Sequence, residues 1–504
     1  MGWKSRAIKP FARTISAKIR KDAANAVSDQ QKIFQSIVKK SKQTAFGTDH
    51  DFASIKSFKD FSAQVPIVTY EQLQPYITRV VKGEANVLWP GKPSYLAKTS
   101  GTTSGVKYIP ITKASLPNHM NTARNALLSF AYRKKRMSIF DGKLIFMSGS
   151  PVLQDKAGMK IGRLSGIVNH EIPKWALSNQ IPTYETNCIE DWETKLDVMA
   201  EESIGTDLRL VSGIPPWVQM FYETLLKKTG KETIKELFPN FQIFAYGGVN
   251  FSPYKQSLKK LVGFDIPSFE TYPASEGFIA FQDESNEDGL LLNTNSGIFF
   301  EFVPVSEINA EKPIRLTLKE IELNTEYVVI LNNNAGLWGY NIGDTIQFVS
   351  KDPYRLVVSG RVKHYTSAFG EHVIAKEVET AFSIAAAKHQ IQVTEFTVAP
   401  QVNPESHELP HHEWFMEFEQ EPQDLHAFAH DIDAELRKQN IYYDDLIKGN
   451  ILQPLVLRKL KKFSFQEYMK SIGKLGGQNK VPRLSNDRII ANKLSQYIID
   501  EVEI

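Results

Sequence analysis

Phe241-Gln242-Ile243-Phe244-Ala245-Tyr246-Gly247-Gly248-Val249 leads, after a short connection, into Tyr254-Lys255-Gln256-Ser257-Leu258-Lys259-Lys260-Leu261-Val262-Gly263 and then Ser268-Phe269-Glu270-Thr271-Tyr272-Pro273-Ala274-Ser275-Glu276. The first run is short, apolar and closed by glycines, which reads as a buried strand. The second has helical spacing, with Gly263 placed to stop it. The third returns as a strand. Strand, helix, strand is the unit of an α/β core. Upstream the same alternation continues. Leu144-Ile145-Phe146-Met147 and Leu208-Arg209-Leu210-Val211 are short buried strands, and Pro215-Pro216 opens a helix through Lys228 that Gly230 ends. Downstream, residues 290 to 360 hold strands with no helices between them, which predicts a β-rich subdomain of hairpins. After Gly360-Arg361 helices return at 375 to 388 and 425 to 438, interleaved with strands at 393 to 397 and 414 to 418. The predicted architecture is a large N-terminal α/β domain, residues 1–361, and a smaller α+β C-terminal domain, residues 362–504.

The bulk properties fit an ordinary globular chain. It has 504 residues, and 60 Lys and Arg against 57 Asp and Glu leave a net charge of +3, too small to argue for nucleic acid. The single cysteine, Cys188, excludes an intrachain disulfide and a Cys-rich zinc site, and is read as a buried apolar thiol. No apolar run reaches the ~18 residues of a membrane-spanning helix. Residues 3 to 21 are basic, with Ile8, Phe11, Ala12, Ile15 and Ile19 at helical spacing. This segment reads as a first helix docked on the domain, with a membrane-surface helix or a transit peptide as alternatives. Cytoplasm is the default location and a monomer the default state. His407, His411 and His412 cluster among Pro404, Pro410 and polar neighbours, which reads as an exposed loop.

Chemistry is densest at Thr99-Ser100-Gly101-Thr102-Thr103-Ser104-Gly105-Val106-Lys107, between a strand at 94 to 97 and another at 107 to 111. Its glycines let backbone N–H groups turn toward an anion, its hydroxyls donate to phosphate oxygens, and Lys107 adds charge. Gly247-Gly248, at a strand's carboxyl end, lets a flat base lie on the backbone. Tyr272 offers a ring, Ser275 a hydroxyl, and Glu276 a hard oxygen for Mg²⁺. Asp344, after Gly343, can accept two ribose hydroxyls. Taken singly, these segments also read as ordinary turns and loops.

The run Thr99 to Pro110 resembles the phosphate loop of the adenylate-forming superfamily, most closely its Gretchen Hagen 3 branch, the acyl acid–amido synthetases named from auxin-responsive plant proteins. Thr44-Ala45-Phe46-Gly47, Tyr272-Pro273-Ala274-Ser275-Glu276, and Ala335 to Asp344 are similar to that branch, in order along nearly the whole chain. Trp338-Gly339-Tyr340 stands where the family often has Tyr-Arg-Tyr. The resemblance implies an ATP- and Mg²⁺-dependent ligase that turns a carboxylic acid into an acyl-adenylate, releases pyrophosphate, and passes the acyl group to an amine, an amino acid in that branch. It implies ATP binding by Thr99, Ser100, Gly101, Thr102, Thr103, Gly247, Gly248, Tyr272, Ser275, Asp344 and Arg361, with Mg²⁺ on Glu276. It implies a hinge at Lys363 for a mobile C-terminal domain, and a catalytic lysine, Lys480 or its neighbour Lys474, brought in for adenylation. The acyl pocket is expected between about 113 and 250, with Phe130, Met147, Trp175, Trp217 and Phe221 as candidates. Small-molecule acid and amine are the expected partners. The competing readings are a ligase with a coenzyme A acceptor and a non-catalytic adenylate-binding protein.

Overall fold

The first strand of the alternation, Ile243–Gly247, lies deep inside a large sheet. The computed structural model describes residues 2–100, 106–172, 177–189, 191–248, 251, 254–284, 288–361, 365–366, 373–401, 404, 409–448, 452–476, 480–485 and 487–504. Among these, contacts divide the chain into two units, Met1–Gly248 with Val262–Val358, and Val249–Leu261 with Ser359–Ile504.

The larger unit is built on an eleven-stranded sheet. In spatial order its strands are Ile298–Pro304, Glu326–Asn333, Tyr340–Lys351, Tyr354–Arg361, Leu290–Leu292, Gly277–Phe281, Ser268–Ala274, Ile243–Gly247, Leu208–Ser212, Lys143–Phe146 and Gln180–Ile181. The last five run parallel. From Ser268–Ala274 onward the pairing is antiparallel. The β-rich stretch is thus the antiparallel half of the same sheet that carries the α/β core. The reversal takes two residues, because Gly277 pairs back onto Ala274 and leaves Ser275-Glu276 as the tip of the turn.

A second sheet orders Val106–Ile111, Tyr95–Ser100, Met159–Gly162 and Gln154–Lys156. It packs with the early helices around an aromatic core in which Trp338, fully buried, meets Phe52 edge-on at 4.9 Å and donates from Nε1 to the Leu88 carbonyl at 3.0 Å. Phe46 is buried in the same core, and Thr44 caps the short helix Ala45–Asp49. The Thr44–Gly47 segment is therefore structural.

The basic N-terminal segment is the helix Trp3–Ala24, docked through Ala12 and Ile15 on the helix Leu116–Arg133. No helix among the described residues is long and apolar enough to cross a membrane.

One buried charge pair ties the larger unit together. Glu301 is 0% exposed and accepts from Arg315 Nε at 2.6 Å, Arg315 Nη2 at 2.8 Å and Asn332 Nδ2 at 2.6 Å. Arg315 also donates to the carbonyls of Ser62 and Val65. Such a pair is tolerated because both Glu301 oxygens and four of the five Arg315 N–H groups find a partner.

The smaller unit has a four-stranded sheet ordered Gln392–Gln401, His411–Gln420, Val456–Leu460 and Ile498–Glu503. Alternate side chains face opposite layers. Phe396, Val398, Trp414 and Met416 pack with the helices Ala375–His389 and Leu425–Gln439. Ala399, Phe415 and Leu460 pack with Ser464–Ser471 and Ile489–Leu494.

The exposed-loop reading of the histidines fails at two of the three positions. His411 and His412 are 1% and 0% exposed and begin a central strand. His412 stacks on Tyr443 at 5.2 Å, and His411 Nδ1 lies 3.1 Å from the Leu409 carbonyl. Their flat rings pack in the core beneath that strand. His407 lies outside the described residues.

Candidate functional site

The parallel strands deliver their carboxyl ends to one edge of the sheet, the edge at which open α/β sheets bind ligands. Gly247 faces Thr271 across the pairing, and a Cβ on Gly247 would stand 2.3 Å from the Thr271 carbonyl oxygen. Gly248 has φ +85°, a conformation that favours glycine. The two glycines of the expected adenine segment are therefore each required by the backbone. Thr271 Oγ1 donates to the Tyr246 carbonyl at 3.0 Å, and burial with the nearby Glu270 carboxylate raises the Tyr246 phenol above its usual range.

Tyr272, Ser275 and Glu276 follow within one turn, all half-buried. Asn333 Nδ2 donates to the Glu276 carbonyl at 2.8 Å, while Asn333 Oδ1 accepts from the N–H groups of Ala335 and Leu337. One amide thus couples the tip of the hairpin to the glycine turn that precedes Asp344.

Asp344, 7% exposed, accepts a hydrogen bond from the Tyr272 hydroxyl at 2.5 Å. Their strands are four places apart in the sheet, which is ~19 Å if the sheet were flat. The antiparallel half must curl over on itself for them to touch. Hydrogen bonds to an ionised partner contribute ~1.5–3 kcal/mol. Tyr272→Phe should lower unfolding free energy by about that amount, read from urea denaturation of the two chains; an unchanged midpoint would mean the bond is not held in solution.

The remaining predicted residues are placed as follows. Thr99 and Ser100 end the strand Tyr95–Ser100, with Thr99 opposite Lys107 in the hairpin. Lys107 lies 4.0 Å from Glu71 and 5.2 Å from the Tyr70 ring centroid. Gly101, Thr102, Thr103, Lys363 and the side chains of Ser100 and Arg361 lie outside the described residues; Arg361 ends the strand Tyr354–Arg361. In the smaller unit Lys480 and Lys474 are both exposed. The residues after Lys480 are pinned to the edge of Gln392–Gln401. Thr397 Oγ1 donates to the Pro482 carbonyl at 2.6 Å, Val398 N–H to the Arg483 carbonyl at 2.9 Å, and Ser485 N–H to the Val398 carbonyl at 2.9 Å.

Among the acyl-pocket candidates, Phe130 and Phe221 are fully buried, Phe130 stacking on Phe269 at 4.6 Å. Trp217 packs on Trp192 at 5.2 Å and Met147 is 9% exposed. Trp175 lies outside the described residues. The described four are core, and a pocket would meet them only at their edges. Cys188 is free and half-buried, more exposed than expected.

Two cations near the sheet's carboxyl edge carry no motif. Lys195 is 3% exposed and donates to the carbonyls of Ser148 at 3.0 Å and Asn187 at 2.9 Å. Burial pulls its ammonium down to about 8 from 10.5. The unfolded chain binds the extra proton between those values, so this residue makes the fold more stable as pH rises across that window. The stability of wild type relative to Lys195→Met should increase by ~1–3 kcal/mol between pH 8 and pH 10, measured by urea unfolding at each pH. The second cation, Arg163, opens the helix Leu164–Glu171.

Comparison with solved structures gives the class first. The fold matches an acyl acid amido synthetase, GH3.15, with a TM-score of 0.81 at 16% identity over 97% of both chains. It also matches a 2-hydroxyisobutyryl-CoA ligase in its postadenylation state, with a TM-score of 0.57 at 12% identity over 96% of this chain and 91% of that one. The chain shares its fold with both proteins. The GH3 family N-terminal domain matches residues 15–198 and 131–266, the GH3 family central domain 291–361, and the GH3 family C-terminal domain 376–489. The chain belongs to the GH3 family. It is 25% identical to the jasmonoyl–L-amino acid synthetase JAR4 of Nicotiana attenuata, over 57% of this chain and 60% of that protein. It is 24% identical to JAR6 of the same plant, over 92% of this chain and 93% of that protein.

Proposed function

We propose that this chain is an ATP-dependent acyl acid–amido synthetase, joining a carboxylic acid to an amino acid. The observation that carries the reading is the set of three GH3 family domains matched in order along the chain. The Tyr272–Asp344 bond supports it, because it joins the two segments expected to hold adenine and ribose.

In the first step a carboxylate oxygen attacks the α-phosphorus of ATP, the bond to the bridging oxygen breaks, and pyrophosphate leaves. Most of the work is positioning and stabilisation of charge on the phosphate oxygens. Gly247, Gly248 and Tyr272 hold adenine. Asp344 accepts from the ribose hydroxyls, with Arg361 beside ribose or phosphates. Thr99, Ser100, Gly101, Thr102 and Thr103 hold the β- and γ-phosphates through hydroxyls and backbone N–H groups, and Ser275 reaches the α-phosphate. Glu276 would hold Mg²⁺, an ion for which a single carboxylate oxygen is a fitting protein ligand, and when bound it would supply positive charge against the phosphates. Lys480 bridges carboxylate and α-phosphate.

In the second step the amine nitrogen attacks the acyl carbon, the acyl–oxygen bond breaks, AMP leaves, and the nitrogen loses a proton. Residues 362–504 act as a mobile domain turning about Lys363 relative to 1–361, which withdraws Lys480 and admits the amine.

ATP–pyrophosphate exchange with a panel of acids that includes jasmonic and indole-3-acetic acids tests the first step. The active acid is then offered L-amino acids and coenzyme A together. An amide product supports the proposal and a thioester replaces it with the coenzyme A ligase reading. Silence across the panel, with ATP still bound, replaces it with an adenylate-binding protein.

A further inference from the structure

Arg163 has a place in the fold that its surroundings do not explain. It follows Gly162, the last residue of the strand Met159–Gly162, which runs parallel to Tyr95–Ser100 with Gly162 opposite Ala97. Its backbone therefore stands one residue past that pair, beside the strand that leads into Thr99. Its side chain lies against Gly149, three residues beyond the carboxyl end of the parallel strand Lys143–Phe146. A Cβ on Gly149 would stand 2.7 Å from Arg163 Cδ and 3.0 Å from Nη1, so only glycine lets the guanidinium stem lie there.

The guanidinium is half-buried and has no ion-pair or hydrogen-bond partner among the described residues. One charged neighbour among the described residues is the buried Lys195, of the same sign. A partly desolvated cation beside another cation is costly unless an anion completes the site. The planar guanidinium fork matches a carboxylate, which it takes with two parallel N–H···O bonds.

We propose that Arg163, on the platform of Gly149, is a carboxylate-binding residue at the carboxyl edge of the parallel strands. It anchors the carboxylate of one of the two small substrates, the acid before activation or the amino acid acceptor. That the carboxylate is a substrate's rests on the amido synthetase reading; that the site takes a carboxylate does not.

Steady-state kinetics of Arg163→Gln and Arg163→Lys with the acid and amino acid used by the wild type decide the matter. A KM for the acid raised 10-fold or more in Arg163→Gln, read in pyrophosphate exchange, assigns the site to the acid. The same rise for the amino acid alone, with exchange unchanged, assigns it to the acceptor. Either result supports the proposal when KM for ATP stays within two-fold and Arg163→Lys recovers part of the loss. A rise for ATP alone, or no rise for either substrate, overturns it. If the wild type shows no exchange, the amido synthetase reading falls and the site is read from thermal shifts. Benzoate should raise the wild-type midpoint more than benzamide does, and Arg163→Gln should abolish the difference. Equal shifts by the two probes, or a difference retained in the variant, overturn the proposal.

Discussion

Lys480→Ala should lower ATP–pyrophosphate exchange by ~10²-fold or more, the usual cost of deleting a donor aimed at developing charge, while amidation of a supplied acyl-adenylate falls far less. The asymmetry follows from the chemistry. Charge accumulates on the α-phosphate when the acid attacks, and a cation bridging carboxylate and phosphate lowers that barrier; in the second step AMP departs and the bridge has no task. The residues that follow Lys480 are held to the sheet edge by the Thr397–Pro482 and Val398–Arg483 bonds. Truncating an exposed lysine leaves those bonds in place, so a loss of exchange would not report misfolding. Equal losses in both half-reactions would remove Lys480 from this role. A loss seen in Lys474→Ala but not in Lys480→Ala would transfer the role to Lys474.

The second large effect is on stability. Arg315→Ala strips Glu301 of its cationic partner while leaving the carboxylate fully buried, with Asn332 as its remaining donor. Breaking a buried pair from one side costs ~3–5 kcal/mol. The carbonyls of Ser62 and Val65 lose their donor as well. Urea unfolding of Arg315→Ala should show that loss, and the double variant Arg315→Met with Glu301→Leu should recover most of it, because the stranded charge is then gone. A loss below ~1 kcal/mol in the single variant would show that the pair does not hold this part of the fold together.

Much of the fold could be read from local pattern. The strand–helix–strand run at 241 to 276 is present, with Gly263 at φ +86° past the helix Lys255–Val262, and Gly230 at φ +65° past Pro215–Thr229. These are signals of single residues with strong backbone preferences. The hairpin Gln154–Lys156 and Met159–Gly162 was not legible, because its first strand is exposed and charged and its turn places Ala157, a poor turn marker, at φ +54°. Without that hairpin the position of Arg163 could not be inferred either. The two buried histidines were misread because polar residues next to prolines resemble a loop until the strand pairing that covers them is known.

The segments expected to hold the nucleotide were legible singly, but their meeting was not. Tyr272 and Asp344 are 72 positions apart, and only the curl of the antiparallel half joins them. That curl has a consequence for assembly. A chain that has formed the parallel strands but not yet closed the hairpins beyond residue 290 holds Tyr272 with no acid opposite it, so nucleotide affinity should be acquired late and all at once. Ligand held across such a seam favours the closed arrangement by mass action, and saturating nucleotide would then slow unfolding of this half of the sheet in particular.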